Sequence, residues 1–322
     1  MAKAPSGAVG KQAVTETRLL GYARHKVHPQ GYEWLGDEVV ARNLLEELEG
    51  DLERLRSDTL AAEFQHYCPV DGAKTDHYKN RLLTVGGLEL LTGVRFLGGD
   101  LTRPFVDVLY TSEPTLTPER LDRVQNAVRT EYAVFKPERT RFYCPSHLPR
   151  YSAAGDKRLL AAPLEVMVSK ADADPRVTLR RAGSLAFYSQ YTAIYDELYA
   201  ERPELREVVR VESEDDMQEY SGAGHLFEIF ASDTWAGVAA VYKDVNAGVG
   251  GFCVGEVVLA GAFRGKGLGS AVQGGLARGL LEGGAKPDEL LFGTVGEINL
   301  PARRAAEKAG RIDVGGHVWV PL

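Results

Sequence analysis

Apolar residues recur along much of the chain with a period close to that of a helix. Leu44, Leu45, Leu48, Leu52 and Leu55 lie among acids and arginines over residues 37–56, which predicts an amphipathic helix. Phe187, Tyr191, Tyr195 and Leu198 predict a second, whose tyrosines are expected to pack and could border a cleft. Leu268, Val272, Leu276 and Leu280 predict a third over residues 268–282. Elsewhere the pattern is that of strands. Residues 252–260 are apolar on both alternating faces, as in a central strand covered on two sides. Residues 226–231 and 235–243 suit a hairpin around Ser232-Asp233-Thr234, and residues 290–295 and 314–320 suit later strands. In the first half, residues 88–97 and 105–111 suit strands ahead of a helix over 118–135.

The joint between the central strand and the third helix is where chemistry is expected. Gly265, Gly267 and Gly269 alternate with Lys266 and Leu268 in the run from Arg264 to Ser270. Glycines permit a tight turn that aims successive N–H groups at one point, and the helix adds its positive dipole end. Arg264 and Lys266 add charge, so the loop predicts a phosphate site. A nucleotide-triphosphate loop is excluded because Lys266 precedes the last glycine. A dinucleotide fingerprint is excluded because Val272 and Ser270 stand where a third glycine is required.

Arg264, Gly267 and Gly269 instead show the Arg-x-x-Gly-x-Gly spacing that resembles the acyl-coenzyme A loop of the GNAT acetyltransferase superfamily. The resemblance extends over roughly residues 176–322, through the strand at 290–295 and an asparagine-led helix at 299–310 with Pro301 near its first turn. It implies an α/β fold of the α+β kind: two tandem GNAT-like domains, each a mixed, mainly antiparallel sheet flanked by helices. Its cofactor would be acetyl-coenzyme A as acyl donor, with no metal. By position, Val257, Val258 and Leu259 would line the thioester and pantetheine arm. Arg264, Gly265, Lys266, Gly267, Leu268, Gly269 and Ser270 would surround the pyrophosphate. Asn299 would reach the pantetheine arm or cap its own helix.

Glu256 is the candidate general base, since a carboxylate in an apolar strand is costly unless paired or employed. A satisfied structural acid is the competing reading, because Asp107 occupies what looks like the equivalent place in the first half. The family often carries a tyrosine on the asparagine-led helix to protonate the leaving thiolate; Ala306 stands there, leaving the general acid unidentified. His317 and Trp319 could line an acceptor pocket, though packing is the commoner role.

A chain of 322 residues is about twice one such domain. Leu148-Pro149 with Ala153-Ala154 parallels Leu300-Pro301 with Ala305-Ala306, which suggests a faded first copy. That copy has Thr115-Leu116-Thr117-Pro118-Glu119-Arg120 where the glycine loop is expected, so one working site per chain is expected. The expected division is a flexible tail at 1–20, a degenerate domain at 21–170 and an acetyl-coenzyme A-binding domain at 171–322. Net charge of −7 disfavours nucleic acid and mildly favours a cationic amine. No apolar run approaches the roughly 20 residues of a membrane span, so a cytoplasmic protein without membrane association is expected. The partner is then a small-molecule or peptide amine acceptor. Cys68, Cys144 and Cys253 are too scattered for a disulfide framework or zinc site. The acidic run at 212–219 suits a solvated helix start. The expected activity is acetyl transfer to a primary amine. The alternatives are a coenzyme A-binding regulatory or scaffold protein whose catalysis has lapsed, and transfer of a longer acyl or an aminoacyl group.

Overall fold

The computed structural model describes residues 16–151, 154–171 and 174–322. The chain divides into two compact units. The first comprises Met1–Asp156, Asn246–Gly248 and Gly315–Leu322; the second comprises Lys157–Val245 and Val249–Val314. The boundary therefore falls after residue 156 rather than 170, and the chain's last eight residues group with the first unit.

In the first unit, helices α1 (residues 16–23), α2 (Pro29–Leu35), α3 (Asp37–Arg56) and α4 (Asp58–Tyr67) precede strands β1 (Arg81–Val85), β2 (Leu88–Phe96) and β3 (Pro104–Thr111). Helix α5 (Pro118–Glu131) and strand β4 (Arg139–Pro145) follow. Of the tail expected at 1–20, residues 1–15 lie outside the described residues. Residues 16–20 belong to α1, where Leu19 and Ala23 are buried in one cluster with Val40, Leu44 and Leu48 of α3. The apolar stripe of α3 thus overrides the tail reading, since burying a leucine outweighs fraying.

The second unit opens with β5 (Ala154–Pro163), whose residues 157–163 belong to it, and α6 (Leu164–Lys170). Then come β6 (Val177–Arg181), α7 (Tyr188–Glu201), α8 (Glu214–Gly222), β7 (Leu226–Ala231), β8 (Thr234–Asn246) and β9 (Val249–Leu259). Helix α9 (Gly269–Glu282), β10 (Leu290–Gly296) and α10 (Leu300–Lys308) complete it, and β11 (Ile312–Pro321) ends the chain. Ser232 and Asp233 both have positive φ, +49° and +62°, as a two-residue turn between twisted strands requires. The acidic run forms the start of α8, where Ser213 and Asp216 make a reciprocal capping box.

Strand order in the first unit is β1-β2-β3-β4-β11, and in the second β6-β7-β8-β9-β10-β5. In each unit the pairing is mainly antiparallel, with one parallel pair (β3–β4 and β9–β10) whose second strand also pairs antiparallel with one further strand, β11 or β5. In each, a helix follows the first strand of the parallel pair: α5 after β3 and α9 after β9. The mixed α/β fold, with a mainly antiparallel sheet flanked by helices, is the expected class. The Leu-Pro landmark of the suspected repeat does not hold, however. Leu300-Pro301 opens helix α10, whereas the chain after Leu148-Pro149 runs into strand β5. Proline at a first helical turn and proline in a bend are both tolerated, so the dipeptide does not distinguish them.

Stripe residues Leu268, Val272, Leu276 and Leu280 share one core cluster with Phe252, Leu291, Phe227 and Ile229, seating α9 on one face of the second sheet. On the other face, Tyr191, Ile194 and Tyr195 of α7 pack with Val258, Val238 and Ala240.

Candidate functional site

Cluster membership along β9 shows where the strand departs from simple alternation. Phe252 and Val254 face the α9 cluster, as do Val257 and Leu259. Even-numbered residues give way to odd-numbered ones, so the alternation slips by one residue between 254 and 257. Gly255 lies against Tyr220 and Tyr242, and Glu256 faces α7, so two successive residues point to the same side. One extra residue in a strand is a bulge, which re-aims a side chain. Here it turns a carboxylate that strict alternation would have placed against α9.

The parallel ladder between β9 and β10 pairs only Gly251, Phe252 and Cys253 with Leu290, Leu291 and Phe292. Strand β9 nevertheless continues to Leu259 and β10 to Gly296. The bulge thus falls just past the last paired residues, where the two strands cease to bond to one another. The Ala260 N–H donates to Ala236 O of β8 at 2.8 Å. By alternation the backbone groups of Val257 and Leu259 point the other way, toward β10. Val258 turns its backbone to β8 and its side chain to the α7 cluster.

Glu256 is buried, at 5% exposure. Its Oε2 accepts hydrogen bonds from the hydroxyls of Tyr191 and Tyr195, both at 2.6 Å. Burial pushes its carboxyl up to about 7, with the two hydroxyls pulling downward and the charge of Glu212 adding to the rise. Both tyrosine pKa values are raised, first by burial and then by the charge of Glu256. The hydroxyl of Tyr191 also accepts the Glu212 N–H at 2.8 Å, and Tyr220 donates to Glu212 Oε2 at 3.2 Å. Glu212 is itself shifted upward by burial.

Asp107 is of another kind. Arg141 grips it with two bonds, Nε to Oδ1 at 3.0 Å and Nη2 to Oδ2 at 2.5 Å. Burial opposes its charge, but the guanidinium outweighs burial and holds the carboxyl at about 2. Asp107 is paired with Arg141 inside the β3–β4 ladder, whereas Glu256 lies three residues beyond the last paired position of β9. The equivalence expected between the two acids therefore fails on register, and the structural role of Asp107 carries no weight for Glu256.

In the glycine loop, Gly265 and Gly267 have φ of +71° and +77°, with open space where a Cβ would stand. Their requirement is conformational. Gly269 differs, since a Cβ there would come within 2.8 Å of Ala305 Cβ on α10. The first bond of α9 runs from Val272 N to Leu268 O at 2.9 Å, and no side chain caps the helix. The N–H groups of Gly269, Ser270 and Ala271 precede that bond and are those a helix start offers to an anion. Ser270 Oγ is buried beside them without a hydrogen-bond partner. Leu268 is buried and Lys266 is exposed. In the first unit the corresponding helix start is closed: Thr117 Oγ1 accepts the Arg120 N–H, with Pro118 at the first position.

Arg264 does not extend along the loop. Its guanidinium lies 3.6 Å from Glu197 and 3.4 Å from Glu201 of α7, and none of its buried nitrogens has a well-formed hydrogen bond. Asn299 stands at the N-cap of α10 without a side-chain cap bond, so its amide is not spent on capping. Ala306 is fully buried on α10. His317 and Trp319 belong to the first unit, where His317 stacks edge-on with Tyr143 and Trp319 with Phe105. The sequence reading missed the pairing of Tyr191 and Tyr195 with Glu256. Its available signal was two tyrosines four residues apart on one helix, facing a strand with a lone acid. Among the described residues there is no group of His, Cys, Asp or Glu that could hold a metal ion, and no helix long and apolar enough to cross a membrane. The three cysteines are free and buried.

No protein-family profile matches the chain, and no curated protein does. Among solved structures, it is similar to an acetyltransferase of the GNAT family from Colwellia psychrerythraea, at 12% identity over 82% of this chain and 96% of that one, with a TM-score of 0.48. It is similar to a GCN5-related N-acetyltransferase from Sphaerobacter thermophilus at 13% identity, over 81% and 84% of the two chains, with a TM-score of 0.46. A tandem GNAT protein from the clavulanic acid biosynthesis pathway aligns at 11% identity over 83% and 96%, with a TM-score of 0.41.

Proposed function

We propose that the second unit transfers an acetyl group from acetyl-coenzyme A directly to a primary amine, without a covalent enzyme intermediate. The observation that carries this reading is Glu256: a buried carboxyl poised near 7, turned by a bulge and placed just beyond the end of the β9–β10 ladder. A general base works best when its pKa lies near the operating pH.

The residues present fit the donor. The N–H groups at the start of α9, the left-handed Gly265 and Gly267, and the unpartnered Ser270 Oγ suit a pyrophosphate. The backbone of Val257 and Leu259, facing the end of the ladder, suits the amides of the pantetheine arm and the acyl oxygen, and Asn299 retains a free amide for the same arm. Acetyl-coenzyme A supplies an acyl carbonyl activated by a thiolate leaving group. Glu256 accepts the proton of the acceptor ammonium, freeing the nitrogen lone pair for attack. The Leu259 backbone N–H stabilises charge on the acyl oxygen, the Val257 N–H being drawn to the Glu256 carboxyl. With Ala306 on α10, the proton left on the nitrogen after attack passes through water to the departing thiolate.

The buried Ala306 favours a second reading, a coenzyme A-binding protein whose catalysis has lapsed. Calorimetric titration with acetyl-coenzyme A, joined to thioester turnover with a panel of amines, separates the two. One equivalent bound with turnover supports acetyl transfer, and one equivalent bound without turnover supports the lapsed protein. No binding overturns both. Comparison of acetyl, longer acyl and aminoacyl donors identifies the group transferred.

A further inference from the structure

Glu256 has no cation among its hydrogen-bond partners; two phenols hold it, and the Val257 backbone N–H adds a smaller pull on its carboxyl. Tyr191 and Tyr195 lie one helical turn apart on α7, and both reach Oε2. A phenol can donate or accept, so its direction must be fixed from outside. For Tyr191 it is fixed. The Glu212 backbone N–H can only donate, and it donates to the Tyr191 oxygen at 2.8 Å, which leaves the hydroxyl proton to Glu256. The segment leading into α8 thereby orients a tyrosine on α7, which in turn holds a carboxylate on β9.

We propose that Tyr191 and Tyr195 are positioning residues for Glu256: they hold Oε2, present Oε1 for proton transfer, and keep the buried carboxylate ionisable. The proposal rests on the acetyl-transfer reading for its catalytic meaning, but the arrangement itself can be tested without catalysis. Without the hydroxyls, a carboxyl this buried would be protonated across the neutral range, since desolvation penalises only the charged form. With them it can lose its proton near neutrality and regain one from an ammonium. The other groups facing this region are Tyr199 on α7, Glu212 before α8, Tyr220 on α8, Tyr242 on β8 and Cys253 on β9. Glu212 raises the proton affinity of Glu256, whereas Arg206 and Arg210 act on Tyr199. Tyr242 interacts with Cys253, and Tyr220 with Glu212.

The test is infrared titration of the carboxyl band in the full chain carrying labelled glutamate, with the Glu256→Gln variant identifying the band. Tyr191→Phe and Tyr195→Phe are compared singly and together. Loss of one hydrogen bond to a charged group should raise the Glu256 titration by about one pH unit, and the double variant by more. Tyr199→Phe, whose hydroxyl donates to Val209 O, should leave it in place. An unmoved Glu256 band in both single variants would overturn the proposal. So would an equal shift in Tyr199→Phe, which would mark a general effect of packing. The kcat/KM profile with acetyl-coenzyme A supplies the second readout, its acidic limb moving up with the band. A shifted band in a protein that transfers no acetyl group would keep the positioning and sink the function, whereas an unshifted band in an active enzyme would do the reverse.

Discussion

Tyr191 and Tyr195 deliver their hydroxyls to the same oxygen, Glu256 Oε2, each at 2.6 Å. Four residues apart on a helix is close to one full turn, so both rings project from one face onto one point of the sheet. A buried acid is thus satisfied without being neutralised, which separates it from Asp107, where Arg141 supplies full charge.

The first prediction concerns pH. Acetyl transfer should rise through a limb near pH 7 as Glu256 loses its proton, and Glu256→Gln should lower kcat by about 10²- to 10⁴-fold while keeping donor affinity. Stability has the opposite sign. The folded carboxyl holds its proton more tightly than the unfolded one, so folding stability should fall as pH rises from about 4.5 to about 7. Urea unfolding at pH 5 and pH 8 should show Glu256→Gln gaining on the natural chain at the higher pH. Parallel loss or gain at both pH values would contradict this.

Asp107 should respond to acid instead. Its depressed pKa means that the stabilising charge is present above the unfolded value near 4 and is lost as pH falls toward about 2. Asp107→Asn should cost about 2–3 kcal/mol at pH 7, because Arg141 loses its two-bond partner and keeps only Asp156, 3.5 Å from Nη1. The deficit should shrink in unfolding experiments near pH 2.

Gly267→Ala forces an L-residue to φ of +77°, a cost of about 1–2 kcal/mol. We expect acetyl-coenzyme A affinity to drop about tenfold in calorimetry, with the thermal midpoint falling by only a few degrees, since the cost is backbone strain alone and nothing lies within 4 Å of the added methyl. Gly269→Leu should lower the midpoint further, since Ala305 of α10 stands in the way.

Arg311 is 3% exposed; its Nη2 donates to Gln273 Oε1, while Nε and Nη1 are buried without partners. Burial pulls its pKa down to about 10. Arg311→Met removes the unpaired charge and keeps most of the volume, so it should stabilise the fold by about 1–2 kcal/mol in urea titrations at constant slope. Arg311→Ala should not, because it leaves a void.

Much of the local architecture was legible in the sequence because it depends on neighbours along the chain. Periodicity marked α3, α7 and α9, and turn residues marked the β7–β8 hairpin. The glycine spacing marked the joint at which β9 passes into α9, and an apolar strand interrupted by one acid singled out Glu256. Other features needed partners distant in sequence. Register alone showed that Asp107 lies within a parallel ladder and Glu256 beyond one. The Leu-Pro pairs, alike as dipeptides, took different structures because only one is followed by a segment that packs as a helix.

The sequence by itself therefore determined which segments form helices and strands, that a phosphate-suited loop joins two of them, and that a single costly carboxylate lies just upstream. These follow from side-chain periodicity and backbone permissiveness, which act over a few residues. Only the tertiary structure decided that β9 bulges at Gly255 and Glu256, that the ladder to β10 stops short of them, that α7 supplies two hydroxyls to the acid, and that Arg264 pairs with Glu197 and Glu201. The reason is physical: a bulge, a ladder's end and a buried carboxylate's partners are set by what packs across the sheet, and those neighbours lie tens of residues away along the chain.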